Sequence, residues 1–220
     1  MKRLILSAFL VAIGLSGFSQ KHVKLSFAGS PSVNWMTSNN PDAEREKLVP
    51  GYDFGLSGDL YFSEDERYSF STGIQISNIG GEISYHTNTS FPFSGVSLPP
   101  LSKIRYRLRY VEIPMSIKLK TDQFRRVRYW GQFGLSAMLN IESKGDSNDG
   151  SLKKANINSE INLFNLAMNV GAGFDFELNG NNSFTTGLIF QNGLIDVTTN
   201  NAFTDKTIIN SLKLKIGLIF

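Results

Sequence analysis

Apolar side chains recur at every second position along most of the 220-residue chain. This is the period of a β-strand whose two faces meet different surroundings. The C-terminal stretch SLKLKIGLIF has one face made only of large apolar side chains: Leu212, Leu214, Ile216, Leu218 and Phe220. Its other face holds Ser211, Lys213, Lys215 and Gly217. The pattern predicts a strand with an apolar environment on one side and a polar one on the other.

The same alternation predicts eight strands and no helix. Their ranges are 22–30, 52–62, 68–77, 103–120, 127–141, 162–178, 183–192 and 211–220. In the fourth strand, apolar residues occupy even positions up to Tyr110 and odd positions from Val111 onward. A phase shift of one residue beside Pro114 is typical of a β-bulge. We therefore expect an irregularity near Tyr110 to Pro114.

The connections between the predicted strands alternate in length. The long ones are 31–50, 79–103, 142–161 and 193–206, and the short ones are 63–67, 121–126 and 179–182. Alternating tight turns and long loops are typical of an up-and-down antiparallel barrel in an outer membrane. The spacing predicts short turns in the periplasm, long loops outside the cell and both termini on the turn side.

The chemistry of the two strand faces distinguishes a membrane barrel from a soluble one. A soluble barrel fills its interior with the bulky apolar face. Here the other face carries small and polar residues together with eight charged ones: Asp59, Glu112, Lys118, Arg128, Asp175, Glu177, Lys213 and Lys215. Aromatic residues also gather at strand ends, as they do at membrane interfaces. The sequence therefore predicts an all-β, eight-stranded, antiparallel up-and-down transmembrane β-barrel, with a soluble barrel as the alternative.

The N-terminus predicts export through the Sec pathway. Lys2 and Arg3 precede an apolar run from Leu4 to Leu15, and small residues follow up to Ser19. This is the layout of a signal peptide, and the run is short for a membrane-spanning helix. We expect residues 1–19 to be the signal peptide and residues 20–220 the barrel domain of an outer-membrane protein. An N-terminal anchor is the alternative.

Composition removes several classes of function. Loss of Lys2 and Arg3 with the signal peptide would lower the formal charge from +3 to about +1, so no basic surface predicts nucleic-acid binding. The chain has no cysteine, and its two histidines, His22 and His86, are too far apart for a zinc motif. We expect no metal and no cofactor.

An eight-stranded lumen is just wide enough to be filled by side chains, so charges that face it must pair. We expect Glu112 to pair with Lys118, Arg128 or the lysines of the last strand. Asp59, Asp175 and Glu177 are expected to join the same network, with structural ion pairing as the main role and a gated conduction or proton path as the alternative.

Catalysis has one weak candidate. His86 lies in or near the second long loop with Ser84, Thr87 and Ser90 close by, and Glu82 could orient it. A lipid A-modifying enzyme of the outer leaflet would need such a group. A solvated loop histidine explains the same residues, so we expect no enzyme.

The long loops are the other candidate for function, because loops face partners. The segments TSNNPDAEREKLVPG and KGDSNDGSLKKANINSE are polar, whereas TSFPFSGVSLPPL carries Phe91, Phe93 and three prolines. This Pro-rich loop is expected to cover the barrel mouth or to dock an envelope partner.

Three stretches carry a family resemblance: RYVEIPMSIKLK at 109–120, LAMNVGAGFDFEL at 166–178 and the C-terminal LKIGLIF. They resemble the outer-membrane β-barrel family common in Bacteroidetes, often labelled PorT-like or porin-family, over essentially the whole mature chain. The resemblance implies a structural or interaction component of the envelope. An accessory of a secretion and gliding machine is the alternative, since the family contains one.

The last strand also resembles the signal that barrel-assembly machinery reads. The residues that carry this resemblance are Leu214, Ile216, Gly217, Leu218 and Phe220. The expected partners are therefore this machinery, outer-membrane lipid and lipopolysaccharide, and an envelope protein at the long loops.

Overall fold

The computed structural model describes residues 23–86, 89–91, 96–179, 182–199 and 206–220, so the expected signal peptide lies outside the described residues. Eight long strands dominate: β1 (Val23–Ser38), β3 (Val49–Tyr61), β4 (Tyr68–Tyr85), β7 (Ser102–Lys120), β8 (Val127–Ser147), β10 (Phe164–Asn179), β11 (Asn182–Gly193) and β12 (Thr207–Ile219). Shorter elements are β2 (Ala43–Lys47), β5 (Thr89–Phe91), β6 (Val96–Leu98), β9 (Ala155–Asn156) and a 3₁₀ turn at Asn158–Glu160. No helix in these ranges is long and apolar enough to span a membrane.

The eight long strands close into one antiparallel barrel. Each pairs with the next long strand along the chain, and β12 pairs with both β11 and β1. At the seam, the Leu25 amide donates to the Phe220 carbonyl at 3.1 Å and the Phe220 amide donates to the Leu25 carbonyl at 2.9 Å. Closure leaves the barrel no free edge whose backbone groups need water. The predicted fold class is confirmed.

The short connections at 62–67 and 121–126 lie at one end of the barrel, together with the end of β10 at Asn179, the start of β11 at Asn182 and the chain terminus Phe220. We call this the turn side and the opposite end the loop side. The strands continue farther toward the loop side than predicted: β1 ends at Ser38, β4 at Tyr85 and β8 at Ser147. Much of what the sequence indicated as long loops is therefore strand, and the short β2 and β9 add to β4 and β8 there.

Nearer the turn side, the outer surface is an apolar belt. The apolar face of the C-terminal strand is exposed on this belt, with Leu212, Leu214, Ile216, Leu218 and Phe220. Gly217 faces inward, where a Cβ would lie 2.6 Å from the Phe27 carbonyl oxygen and 2.8 Å from the Ala28 Cβ. The glycine therefore allows β12 to approach β1 closely at the seam. Its role as an assembly signal stays a prediction.

The irregularity expected near Tyr110 to Pro114 lies at the Tyr110 end of that range, but its extra residue is on β8 and not on the fourth predicted strand, now β7. Even-numbered residues face the interior along the whole of β7, from Ser102 to Lys120. The register shift lies opposite Arg109 and Tyr110 on β8, where Asn140 and Glu142 are the paired residues and Ile141 is extra. The phase change along β7 has a different cause: on the loop side, the apolar residues are the inward ones.

The loop-side half of the barrel is filled by an apolar core, which we call the cap. Its buried members include Met36, Ile79, Ile83, Ile104, Tyr106, Leu108, Tyr110, Met138, Leu152, Ile157, Ile161, Val197 and Ile209. The outward residues of β7 at the same level are Lys103, Arg105, Arg107 and Arg109. In this half the interior is apolar and the outer surface is charged, as in a soluble protein. In the half that carries the belt, the interior is polar and the outer surface is apolar.

The cap predicts a difference between two chemically identical substitutions. Leu108 is 2% exposed in the cap, and Leu188 is 55% exposed on the apolar belt. Leu108→Ala should lower the free energy of unfolding by about 2–5 kcal/mol, because it leaves a cavity among packed side chains. Leu188→Ala leaves no cavity and should cost less. Urea unfolding in lipid vesicles measures both, and equal losses would contradict a packed cap.

Deletion of Phe220 tests the proposed assembly signal. The Phe220 side chain points outward and adds little to the packing of the interior. It follows β12, the strand that resembles the signal read by the barrel-assembly machinery. We expect the rate of insertion by purified assembly machinery to fall more than the free energy of unfolding of barrel already folded. A Leu218→Ala variant controls for loss of outward apolar surface, and equal effects of the deletion on both measurements would count against the signal.

Candidate functional site

The interior at the level of the apolar belt holds a central charged group. The Lys213 Nζ lies 2.9 Å from an Asp53 carboxylate oxygen and 3.2 Å from Glu112 Oε2. Ser77 donates to Glu112 Oε2 at 2.6 Å, and Glu112 Oε1 accepts from Ser136 at 2.7 Å and from Gln191 Nε2 at 2.8 Å. The six residues of this group come from six different strands, so the group ties opposite walls of the barrel together.

A second charged group lies closer to the turn side. Lys118 donates to Asp59 at 2.9 Å, and Lys120 contacts Asp175 at 2.7 Å and Asp59 at 3.9 Å. Lys120 also donates to the Tyr61 hydroxyl at 2.8 Å. All four charged residues are buried. Each of these four buried ions therefore has a counter-ion, which offsets part of the cost of its burial.

Trp130 joins this group through its indole ring. The Nζ atoms of Lys118 and Lys215 lie 5.2 and 5.7 Å from the ring centroid, within cation–π range. A Cβ at Gly173 or at Gly187 would lie 2.5 Å from the Trp130 ring. Side chains at these two positions would displace the ring, so the glycines make the niche for it.

The buried charges of this interior balance. Four carboxylates, Asp53, Asp59, Glu112 and Asp175, face four lysines, Lys118, Lys120, Lys213 and Lys215. Among the salt bridges of the described residues, none includes Lys215, which instead contacts Trp130. A cavity of about 40 Å³ remains beside Glu112, Lys213 and Lys215. It has room for about one water molecule.

Six of the eight charged residues predicted from the sequence lie in these two groups. The partner of Glu112 is Lys213 of the last strand, and neither Lys118 nor Arg128 contacts it. The expectation was wrong for Arg128 and Glu177, which lie at the turn-side mouth. Arg128 contacts Glu66 at 2.8 Å, and Glu177 accepts a hydrogen bond from Gln123. Both residues lie near strand ends on the turn side, where water reaches them.

The mouth itself is a polar depression of about 390 Å³. Glu66, in the turn between β3 and β4, contacts both Lys24 and Arg128 there, at 2.7 and 2.8 Å. Partial burial acts to raise the pKa of Glu66, but these two cations hold it below its ordinary value. The ion pairs tie this turn to β1 and β8.

Sequence reasoning missed Asp53 and Lys120. Both lie on the inward face of their strands, at the same alternation as Asp59 and Lys118. Continuing the alternation to the strand ends would have found them. The partner of each charge was not readable, because pairing depends on the register between strands.

Two of the catalytic candidates with described side chains, His86 and Ser84, have different surroundings. His86 Nε2 lies 3.5 Å from Glu44 Oε2, and both side chains are exposed. Ser84 is buried on β4. The side chains of Thr87 and Ser90 lie outside the described residues. Within the described part of the chain, no group of three or more His, Cys, Asp or Glu residues could hold a metal ion.

Fold and interior together define a membrane-spanning β-barrel with a filled lumen. The chain belongs to the outer membrane protein beta-barrel domain family, whose model matches residues 17–199. It is therefore an outer-membrane protein, and its turn side is the periplasmic side. The match is to the general family, so the likeness to PorT-like barrels of Bacteroidetes stays a prediction. No curated protein matches the chain by sequence.

Solved structures similar to the chain are also outer-membrane or surface proteins. Neisserial surface protein A is 12% identical over 90% of this chain and 95% of that one, with a TM-score of 0.47. OprG from Pseudomonas aeruginosa is 12% identical over 92% and 97%, with a TM-score of 0.45. Ail of Yersinia pestis is 12% identical over 91% and 100%, with a TM-score of 0.43. Likeness at this level carries no information on function.

The charge balance of the lumen predicts the effect of Glu112→Gln. Loss of this carboxylate leaves Lys213 with Asp53 alone and gives the interior an excess positive charge. The free energy of unfolding should fall by about 3 kcal/mol, as when one partner of a buried ion pair is removed. Urea unfolding in vesicles, followed by fluorescence of the two tryptophans, measures it.

Two further variants make this test specific. Glu64→Gln applies the same change to an exposed turn residue and should have little effect. Lys215→Met in the Glu112→Gln background restores the balance of charge and should recover part of the lost stability. A double variant as unstable as the sum of the two single variants would contradict coupling through net charge.

Proposed function

We propose that the protein is a sealed, non-catalytic barrel that serves as a structural or interaction component of the outer membrane. The observation that carries this proposal is closure of the bore at two successive levels. At the level of the belt, paired charges leave a cavity of about 40 Å³. Toward the loop side, the cap fills the interior with apolar side chains.

Both levels oppose conduction. A diffusing solute needs a continuous hydrated path, and a space for about one water molecule is not such a path. An ion would additionally have to cross the apolar packing of the cap, at a large desolvation cost. Opening the bore would require breaking buried ion pairs such as Lys213–Glu112 and unpacking the cap around Tyr106 and Leu108.

The region available to partners is the loop-side half. There the strands extend beyond the apolar belt and enclose the packed cap. Their outward residues include charged ones such as Arg107 and Arg109. The Pro-rich loop begins and ends in the short paired strands β5 and β6. A body held by an internal core is a rigid platform, which favours binding at low cost in conformational entropy.

A secretion or gliding accessory is the alternative within this proposal. It rests on the resemblance of the three sequence stretches and on the same exposed platform. Crosslinking and affinity purification of the tagged protein from native outer membrane separates the two roles. Recovery of one reproducible, stoichiometric complex favours the accessory, and recovery of the barrel alone favours the solitary role.

A lipid A-modifying enzyme is third. His86 contacts Glu44, and no hydrogen bond among the described residues joins it to Ser84. The geometry thus gives no support to a nucleophile and base pair at this position.

The sealed bore predicts the outcome of planar-bilayer recordings. Purified protein inserted into a bilayer should show no stable single-channel conductance, since both levels stay closed. Glu112→Gln should be equally silent, because the cap is unaffected. A stable conductance that this variant alters would overturn the proposal, and a general porin recorded in the same bilayers controls for insertion and detection.

A further inference from the structure

The outer surface of β3, β4, β7 and β8 changes character between two neighbouring rows of paired residues. One row is apolar and consists of Phe54, Ile76, Val111 and Leu139. The row two residues farther toward the loop side on β3, β4 and β7, and three farther on β8 because of the bulge, consists of Tyr52, Asn78, Arg109 and Glu142. The Arg109 Nε donates to Asn78 Oδ1 at 2.9 Å, so the polar row is itself bonded together. Such a change marks the outer boundary of the hydrocarbon region.

A basic cluster lies directly above this boundary. Its members are Lys103, Arg105, Arg107, Arg109, Lys144 and Lys154. Three carboxylates, Glu46, Glu142 and Asp146, form ion pairs with four of these cations. Arg105 and Lys154 form none among the salt bridges of the described residues, and the Arg105 Nε is buried without a hydrogen-bond partner there. The cluster therefore carries more positive charge than its three carboxylates neutralise.

Five of these cations, all but Lys103, line a cleft of about 540 Å³ together with Glu142, the ion-pair partner of Arg109. The cleft is large enough for a phosphorylated sugar. Tyr52 and Asn78 form its membrane-side wall, and Arg105, Arg107 and Arg109 line it along β7. Guanidinium groups bind phosphate bidentately, which makes arginine the favoured residue for such a ligand.

An apolar groove of about 630 Å³ runs on the belt surface of β1, β3 and β4. Phe54, Leu56 and Ile74 line it, and Gly58 leaves its floor open. The stacked rings of Tyr52 and Phe54, with centroids 6.4 Å apart, connect the cleft to the groove. The two features are thus continuous from the headgroup level into the belt.

We propose that the cleft and groove together bind one molecule of lipid A. Its phosphates lie in the cleft against Arg105, Arg107 and Arg109, and one acyl chain lies in the groove beside Gly58. The loop side faces the outer leaflet, whose principal lipid carries phosphorylated sugars on several acyl chains. Charge complementarity and the headgroup-to-chain continuity both match that lipid. The site goes beyond the structural role proposed above, because a sealed barrel needs no bound lipid.

Binding of bis-phosphorylated lipid A to the full chain in detergent micelles tests this, by native mass spectrometry with titration of the lipid. Arg107→Gln/Arg109→Gln should weaken binding about tenfold or more. The matched control is Arg125→Gln/Arg126→Gln, which removes the same charge at an exposed turn on the periplasmic side. It should leave the affinity unchanged.

The groove has its own variant. A Cβ at Gly58 would make only ordinary contacts, 3.5 Å to Leu25 and 4.0 Å to Val23, so Gly58→Leu is compatible with the fold and fills the groove. It should weaken lipid A binding without altering the effect of lipid dephosphorylation. Retained heat-modifiable mobility on gels verifies that every variant stays folded.

Two ligand arms identify the source of the phosphate. Dephosphorylated lipid A should bind the native chain as weakly as bis-phosphorylated lipid A binds the double-arginine variant, and phosphatidylglycerol should compete poorly. Equal affinity of the native chain and the double-arginine variant for lipid A would overturn the site. Equal affinity for phosphatidylglycerol would overturn lipid A as its occupant, and neither result bears on whether the bore is sealed.

Discussion

The narrow bore of an eight-stranded barrel is the constraint on which the rest of this structure depends. Every second side chain of every strand must point into a space that side chains nearly fill. The interior is therefore packed as a core. What fills it at each level must satisfy its own polar groups, because bulk water does not reach them. The structure solves this twice, with paired charges at the level of the belt and with apolar packing above it.

Strands that cross a membrane with one apolar face cannot have a second apolar face without becoming continuous hydrophobic runs. Such runs aggregate during folding and resemble helical spans. A polar inward face avoids this, but in a narrow bore its charges must be neutralised by partners on other strands. Lys213 between Asp53 and Glu112, and Lys120 between Asp59 and Asp175, meet that need. Because each pair joins residues far apart in sequence, these contacts also favour one register over its alternatives.

The fold was predictable from the sequence because strand alternation and connection length are local properties. The strand that carries the β-bulge was not, because periodicity reports where apolar side chains lie and not which way they point. Tyr110 and Val111 are both apolar, one facing the cap and the other the lipid, so their sequence reads as a change of phase. The true irregularity, at Ile141 on β8, leaves a weaker trace. For Glu177 and Arg128, the prediction that the side chains point inward was correct, but both lie at the turn-side mouth and not deep in the lumen. Alternation shows which face of a strand a residue is on and does not show its position along the barrel axis.

The position of a residue along the barrel axis can nonetheless be read from the sequence when the inward and outward faces of a strand are compared. On β7, the outward face changes from apolar Val111 to basic Arg109, and the inward face changes from acidic Glu112 to apolar Tyr110. On β4, Ser77 and Ile79 mark the same inward change, and Ser77 pairs with Tyr110. Both inversions thus fall at one level of the barrel wall.

The outward one follows from the end of the hydrocarbon, since exposed side chains there meet headgroups and water. The inward one follows from the outward one: once the outer face is polar, an apolar interior no longer makes the strand hydrophobic on both sides, and ordinary core packing becomes available. The level at which the bore changes from charge pairing to apolar packing is therefore set by the membrane outside it.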